Sequence, residues 1–159
     1  MAYNRFANQL RDFAERTKTK ADVTIREAIL GFASSLITKS PVGDPTLWKD
    51  QNAAIYALNH GYKGGNFKAN WQGGVGTPNL AITDDIDRSG EISFNSIVST
   101  IPDKPAREVF YITNNLPYAQ RLEDGWSTQS PPGGMVALTV LEFDRIVFDA
   151  LTKVELAGA

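Results

Sequence analysis

Two acidic stretches hold the residues whose types and spacing suit chemistry. In the first, Asp85, Asp87 and Ser89 alternate and are followed by Gly90. Calcium-binding loops begin in this way, because side-chain oxygens at alternate positions coordinate the ion. The twelfth position of such a loop requires a bidentate glutamate, and Ser96 stands there instead. The alternative is an Asp-rich turn that caps a following helix, which we favour over a calcium-binding interaction module.

The second stretch offers Glu123 and Ser127. Glu123 together with Asp85 or Asp87 has the composition of a glycosidase pair, but a chain this rich in acids contains such pairs by chance. A Ser-His-Asp arrangement would depend on His60, the only histidine. We therefore predict that the protein is not an enzyme. The Glu123 carboxylate is expected to accept backbone N–H groups from the loop that follows it.

The composition is that of one globular domain spanning residues 1–159. Hydrophobic residues make up 42% and charged residues 21% of the chain, which suffices for one core. The formal net charge of -2, with mixed signs, argues against direct nucleic-acid binding. Cysteine is absent, which removes disulfides, thiolate catalysis and the usual structural zinc sites. Neither a signal sequence nor an apolar membrane span is recognised, so we expect a soluble, cytoplasmic protein.

A long helix is predicted over residues 4–38, with Asn4 as its cap and Ser40-Pro41 as its end. Such a helix measures roughly 50 Å, whereas a compact chain of this size is about 40 Å across. It must therefore overhang its domain or break in the polar segment 15–22. If it stays straight, a neighbouring subunit is the simplest cover for its outer apolar residues. The residues that define its apolar face step by three and four: Phe6, Leu10, Phe13, Thr17, Ala21, Ile25, Ala28, Phe32 and Leu36.

The middle of the chain, residues 41–79, is rich in glycine and proline and is predicted to form a long loop. Loops of this length inside a domain are usually functional or ordered by a partner. A short helix is predicted within it over 51–58. Strand character follows over 67–75, with Phe67 and Trp71 on one side.

Residues 80–155 are predicted to contain the sheet and the remaining helices. The Asp-rich turn leads into a helix through 94–101, and the alternation over 109–113 predicts a central strand. A short helix should run from Pro117 to Gly125, with Tyr118 and Leu122 facing inward. Residues 136–154 predict a closing helix of about five turns. The expected fold is α+β, with the first and last helices packed on a small, mostly antiparallel sheet.

The last third of the chain carries a specific order of motifs. A strand leads to a tyrosine, a Leu-Glu-x-Gly step, a Ser/Thr-Gln-x-Pro-x-Gly loop and a helix. With "SPVGDPTLW" after a long first helix, this order resembles the neck and tail-completion proteins of long-tailed bacteriophages, the head–tail joining family that includes the lambda-type minor tail protein Z. The insertion from Gly43 to Gly76 is longer than the short turn of that family. The matching positions are Tyr118, Leu122, Glu123, Gly125, Ser127, Gln129, Pro131, Gly134 and Met135.

The resemblance implies a structural role without enzymatic activity, cofactor or membrane. It implies a ring of subunits, a hexamer, at the head-proximal end of the tail in the virion, assembled in the host cytoplasm. The implied partners are other copies of the chain, the tail-tube protein and the head-side connector, with DNA only as passing cargo. We predict that the loop after Gly125 is the assembly surface, with Trp126 as its anchor. The predicted interface residues are Tyr118, Glu123, Trp126, Ser127, Gln129, Pro131 and Pro132.

Overall fold

The computed structural model describes the backbone of residues 2–158 and the side chains of residues 8–158. Within residues 2–158, seven helices and a two-stranded sheet give the α+β fold that the sequence predicted. Two short 3-10 helices, Pro45–Leu47 and Pro105–Arg107, lie in the connections. The other elements, in chain order, are α1 (Ala2–Lys39), α2 (Gln51–Asn59), α3 (Asn66–Ala69), β1 (Trp71–Val75), α4 (Glu91–Thr100), β2 (Phe110–Asn114), α5 (Ala119–Glu123), α6 (Met135–Leu141) and α7 (Phe143–Leu156).

Helix α1 is unbroken and extends beyond the rest of the fold. It begins at Ala2, so Asn4 lies inside the helix rather than at its cap, which corrects that prediction. At 1.5 Å per residue its 38 residues measure about 57 Å. Residues 8–19 are all exposed, whereas the face from Thr24 onward is buried. The polar middle stays helical: Thr17 and Thr19 donate hydrogen bonds to carbonyl groups one turn earlier. The predicted overhang is therefore confirmed.

Over residues 2–158 the sheet has two strands, β1 and β2, paired antiparallel with Trp71 opposite Asn114 and Val75 opposite Phe110. The prediction of a central strand over 109–113 is wrong, because in the part of the chain that the structure describes β2 has one strand neighbour. The apolar residues on both faces of β2 are explained by the groups that cover each face. One face meets the core, and the backbone around Asn79 covers the other, within hydrogen-bond distance of Thr113.

The core lies between the C-terminal half of α1, the sheet and α4. Trp71 anchors it, and its indole Nε1 donates a 2.8 Å hydrogen bond to Ser40 Oγ. Ser40 in turn donates to the Leu36 carbonyl oxygen, which closes the end of α1. The buried apolar cluster consists of Ile29, Ala33, Leu36, Ile37, Phe67, Trp71, Ile97, Ile101, Leu116 and Met135.

Two further predictions need correction. The closing helix predicted over 136–154 is two helices, because the backbone leaves helical geometry at Glu142 (φ -88°, ψ 4°). The break directs α6 and α7 separately onto α1, and the Glu142 carboxylate accepts hydrogen bonds there from Ser35 and Lys39. In the middle region the short helix is confirmed as α2. The predicted strand over 67–75 forms only from Trp71, because Phe67 lies in the helical turn α3.

Candidate functional site

The predicted assembly loop, residues 126–134, is closed by the carboxylate of Glu123. Its Oε2 accepts hydrogen bonds from the backbone N–H groups of Met135 (2.8 Å) and Val136 (3.0 Å). Its Oε1 accepts from the N–H group of Ala137 at 3.0 Å. The prediction that Glu123 accepts backbone N–H groups is confirmed, although the donors belong to the first turn of α6. A negative charge at a helix N-terminus is favourable, and here it joins the two ends of the 126–134 loop.

A second set of hydrogen bonds joins the 126–134 loop to the segment that follows α1. The Gln129 side chain accepts a 2.7 Å hydrogen bond from the Asp44 N–H and donates a 2.9 Å bond to the Asp44 carbonyl oxygen. Thr128 donates to the Leu47 carbonyl oxygen close by. Gln129 therefore fixes the position of the loop, and its amide is used within the chain rather than offered to a partner.

Trp126 points away from the protein although its backbone is fixed. Its N–H donates to the Arg121 carbonyl oxygen at 3.0 Å, while 72% of the residue is exposed to solvent. The Arg121 guanidinium lies 5.5 Å from the centre of the indole ring, within the range of a cation–π contact. Trp126 is thus not a core residue. An exposed tryptophan on an ordered loop has the character of an interface anchor.

Beneath the loop lies an aromatic cavity of about 230 Å³. Tyr118 and Tyr62 line it, and burial raises the pKa of both phenol groups. Tyr118 packs against Phe67 at 6.2 Å between ring centres, and its hydroxyl contacts Asn66 at 3.4 Å. The predicted inward orientation of Tyr118 is thus partly met, since its ring lines the cavity while 40% of the residue remains exposed.

Some of the other predicted interface residues hold the loop in place, and the others lie on its surface. Ser127 accepts a hydrogen bond from the Gln129 N–H and is half-buried. Pro131 is half-buried and Pro132 is exposed. The loop ends at Gly134, which has φ +77° and lies so close to Glu123 that an added Cβ would clash with its carboxylate. Trp126 and Pro132 therefore form the outward part of the loop.

The Asp-rich turn is built around a buried carboxylate. Asp87 accepts hydrogen bonds from the Gly90 N–H at 2.7 Å, the Ser93 N–H at 3.2 Å and the Ser89 hydroxyl at 3.0 Å. Burial by itself raises the pKa of Asp87, but the hydrogen bonds outweigh it and hold the pKa below its ordinary value. This geometry is that of a cap for α4.

The calcium ligands that the sequence suggested do not gather into a cluster. Asp85 is exposed, and the Ser89 hydroxyl donates a hydrogen bond to Asp87. Among the described residues, no group of three or more His, Cys, Asp or Glu side chains could hold a metal ion. No observation on this turn favours the calcium-binding module.

The residues considered for catalysis are engaged elsewhere. His60 Nδ1 lies 2.7 Å from the Tyr56 carbonyl oxygen, and its ring stacks on the Tyr56 ring at 3.9 Å. The Glu123 and Asp87 carboxylates bind backbone N–H groups of α6 and α4. Neither carboxylate is therefore positioned as a free acid or base for a substrate.

Two further apolar surfaces are exposed, and the sequence predicted only one of them. The overhang of α1 exposes Leu10 and Phe13, as its length predicted. The unrecognised surface lies on α6 and α7, where the sequence pattern showed a single helix with one apolar face. Because the break at Glu142 turns the two helices differently, apolar residues remain outside the core. The exposed ones are Val136, Val140, Leu141, Phe143, Phe148 and Leu151.

Comparison with known proteins gives no further assignment. No protein-family model matches the chain, and no curated protein or solved structure is significantly similar to it. Across the residues that were searched, no helix is both long and apolar enough to cross a bilayer. The function must therefore be inferred from the residues themselves and from the motif order of the last third.

Proposed function

We propose that this chain is a structural virion protein of the neck or tail end of a long-tailed bacteriophage. In this proposal its copies form a ring at the head-proximal end of the tail, complete the tail and join it to the head. DNA passes through the ring without being bound. The partners are other copies of the chain, the tail-tube protein and the head-side connector.

The observation that carries the proposal is the exposed Trp126 on a loop that is fixed on both sides. Glu123 ties the loop to α6, and Gln129 ties it to Asp44. An ordered loop has already lost most of its conformational entropy, so docking it against a partner costs little more. A large aromatic side chain kept in water on such a loop is explained by a partner that covers it.

The overhang of α1 supports the same proposal from another part of the chain. Phe13 is 63% and Leu10 58% exposed, on a helix that extends past its own core. Helices that project from a domain commonly pack against a neighbouring subunit, which buries their apolar face. A ring supplies such a neighbour to every copy.

The charge of the chain fits a passage for DNA rather than a binding site. The formal net charge is -2, with 16 basic and 18 acidic side chains. A wall without excess positive charge does not retain a phosphate backbone by counterion release, so DNA can move along it.

The test is to replace Trp126 by Ala in the virus that encodes the chain and to count joined particles by electron microscopy. We expect separate heads and tails, with the purified variant folded as judged by circular dichroism. Leu156→Ala is the matched control, because Leu156 is also an exposed apolar residue but lies at the end of α7. Normal joining with Trp126→Ala would remove the loop from the interface. Particles that lack the chain altogether yet join normally would refute the proposed function.

A further inference from the structure

One edge of the sheet is open. The Gly76 N–H donates to the Val109 carbonyl oxygen at 2.9 Å, which sets the alternation of hydrogen-bonded pairs along the two strands. In this alternation the backbone groups of Phe110, Ile112 and Asn114 point away from β1. These N–H and C=O groups make no hydrogen bond to any group that the structure describes. Such a row of free groups is a template for another strand.

A groove runs along this open edge. It consists of two cavities of about 380 Å³ and 230 Å³, and Ile112 and Val136 line both. Val140 of α6 continues the wall opposite β2. From β1 only Trp71 lines the groove, so it lies on the side of β2 that faces away from β1. The groove therefore offers space beside the free backbone groups and an apolar wall for side chains.

The same chain contains a segment that fits this edge. Residues 79–83 lie outside any helix or strand, and the backbone groups of Asn79 and Thr83 are tied to the body of the protein. The Asn79 carbonyl oxygen accepts from two side chains at the end of β2, and the Ala81 N–H donates to the Asn79 side chain. Thr83 bonds through both its N–H and its C=O to the side chain of Asn70. The segment is therefore held to the body of the protein at both ends, whereas the Ala81 bond lies within the segment itself.

Between Asn79 and Thr83, two residues have backbone groups without a hydrogen-bond partner among the described residues. Leu80 and Ile82 make no backbone hydrogen bond to any described residue, and they are 70% and 53% exposed. Their spacing of two places both side chains on one face of an extended segment. The segment thus has free backbone groups on one side and apolar side chains at matching positions.

We propose that residues 79–83 of one copy add as a third strand to the outer edge of β2 in the next copy. This inference rests on the proposed ring and names the contact that builds it. Leu80 and Ile82 exchange backbone hydrogen bonds with Phe110 and Ile112 of the neighbour. In that pairing the side chains of Leu80 and Ile82 lie on the core side of the neighbour's sheet and enter the groove against Val136.

The donor segment and the acceptor edge are different parts of the chain, so the contact is head-to-tail. A heterologous contact of this kind closes into a ring or continues as a filament. The outer edge of β1 is not an alternative acceptor, because Trp71 and Gly73 are buried and α4 packs against that strand.

Cross-linking tests the pairing directly, because the chain has no cysteine of its own. Ala81 then faces Tyr111 of the neighbour as a non-hydrogen-bonded pair, with Cα atoms about 4.5 Å apart, which suits a disulfide. Ala81→Cys and Tyr111→Cys variants are mixed in concentrated solution and oxidised. We expect mixed dimers in excess over either homodimer, and little cross-linking of Ile86→Cys with Tyr111→Cys. Equal yields from the two pairings would overturn the inference.

A proline variant tests the hydrogen bonds. Ile82→Pro removes an N–H that is unbonded within the chain, so the fold should persist while self-association weakens roughly fivefold or more. Ile86→Pro is the matched control, because Ile86 is also exposed and its N–H is also unbonded. Equal association of the two variants would refute the strand pairing.

The same cysteine pair placed in one chain and carried by the virus separates the two proposals. We expect a ladder of cross-linked copies from joined particles. Joined particles that contain the chain at the neck but give no ladder would refute the strand pairing alone. Absence of the chain from the neck would refute the proposed function.

Discussion

Glu123 offers the sharpest test of how the 126–134 loop is held. Replacing it by Ala removes the acceptor of three backbone N–H groups, those of Met135, Val136 and Ala137. Val136 and Ala137 are exposed, so water replaces the carboxylate at their N–H groups. Met135 is 1% exposed, so its N–H is left without a partner. The loss of a charged cap and one buried donor together costs about 2–3 kcal/mol.

The assay is urea unfolding at neutral pH, followed by circular dichroism. Glu123→Ala should lower the free energy of unfolding by that amount and the melting temperature by about 5–10 °C for a chain of this length. Glu123→Gln keeps one acceptor oxygen and should lose roughly half as much. Asp124→Ala is the matched control, because the Asp124 carboxylate bonds only to the exposed Gln120 side chain. It should change the free energy by less than about 0.5 kcal/mol.

Two results would refute this reasoning. If Glu123→Ala is no more destabilising than Asp124→Ala, the carboxylate does not hold the loop. If the Gln and Ala variants lose the same free energy, the negative charge and not the number of acceptor oxygens is decisive at the start of α6.

Further predictions concern glycine, pH, metal and the interface. Gly134→Ala should destabilise the protein at least as much as Glu123→Ala, because at a positive φ it forces a Cβ against the Glu123 carboxylate. Unfolding in urea measures the loss. Gly61→Ala is the control, because Gly61 also has a positive φ but open space where its Cβ would lie. The contribution of Glu142 to the free energy of unfolding should be fully present above about pH 4.5 and decline as the pH falls further. The reason is that hydrogen bonds from Lys39 and Ser35 lower the pKa of Glu142 from 4.5 to about 2, so between these values the unfolded state binds the proton more tightly than the folded state does. The decline should be smaller in Glu142→Gln. Calcium titration by calorimetry should give no binding heat, since Asp87 caps α4; micromolar binding that Asp85→Ala abolishes would restore the calcium module. Trp126→Ala should leave the unfolding free energy within about 0.5 kcal/mol of the original, and a larger loss would show that the ring is part of the folded core.

The sequence determined the elements that depend on local periodicity and on caps. The stepping by three and four along 10–36 fixed α1, and its length alone implied the overhang of Leu10 and Phe13. A short polar signal also sufficed for the Asp87 cap, because Gly90 lies three residues further along the chain. These features obey local geometry, which a sequence displays directly. The sequence identified Glu123 as an acceptor of backbone N–H groups, but its donors lie 12 to 14 residues away in α6 and not in the loop that was expected.

Other features depended on which distant residues meet. The apolar pattern of 109–113 is the same for a central strand and for a strand covered by a loop, and only the position of Asn79 shows which is present. The continuous apolar face over 136–154 hid the break at Glu142, because the carboxylate bonds to Ser35 and Lys39, more than a hundred residues earlier. Propensity cannot reveal such a contact, since packing overrides it.

The sequence by itself thus determined the long first helix, the Asp87 cap and the motif order on which the proposed function rests. Only the tertiary structure decided that Gln129 braces the loop while Trp126 stays in water, and that β2 keeps an open edge beside a groove. The physical reason is that exposure and unsatisfied hydrogen bonds are properties of the assembled surface. A residue type shows what a side chain can do, and the fold decides whether a partner is already in place.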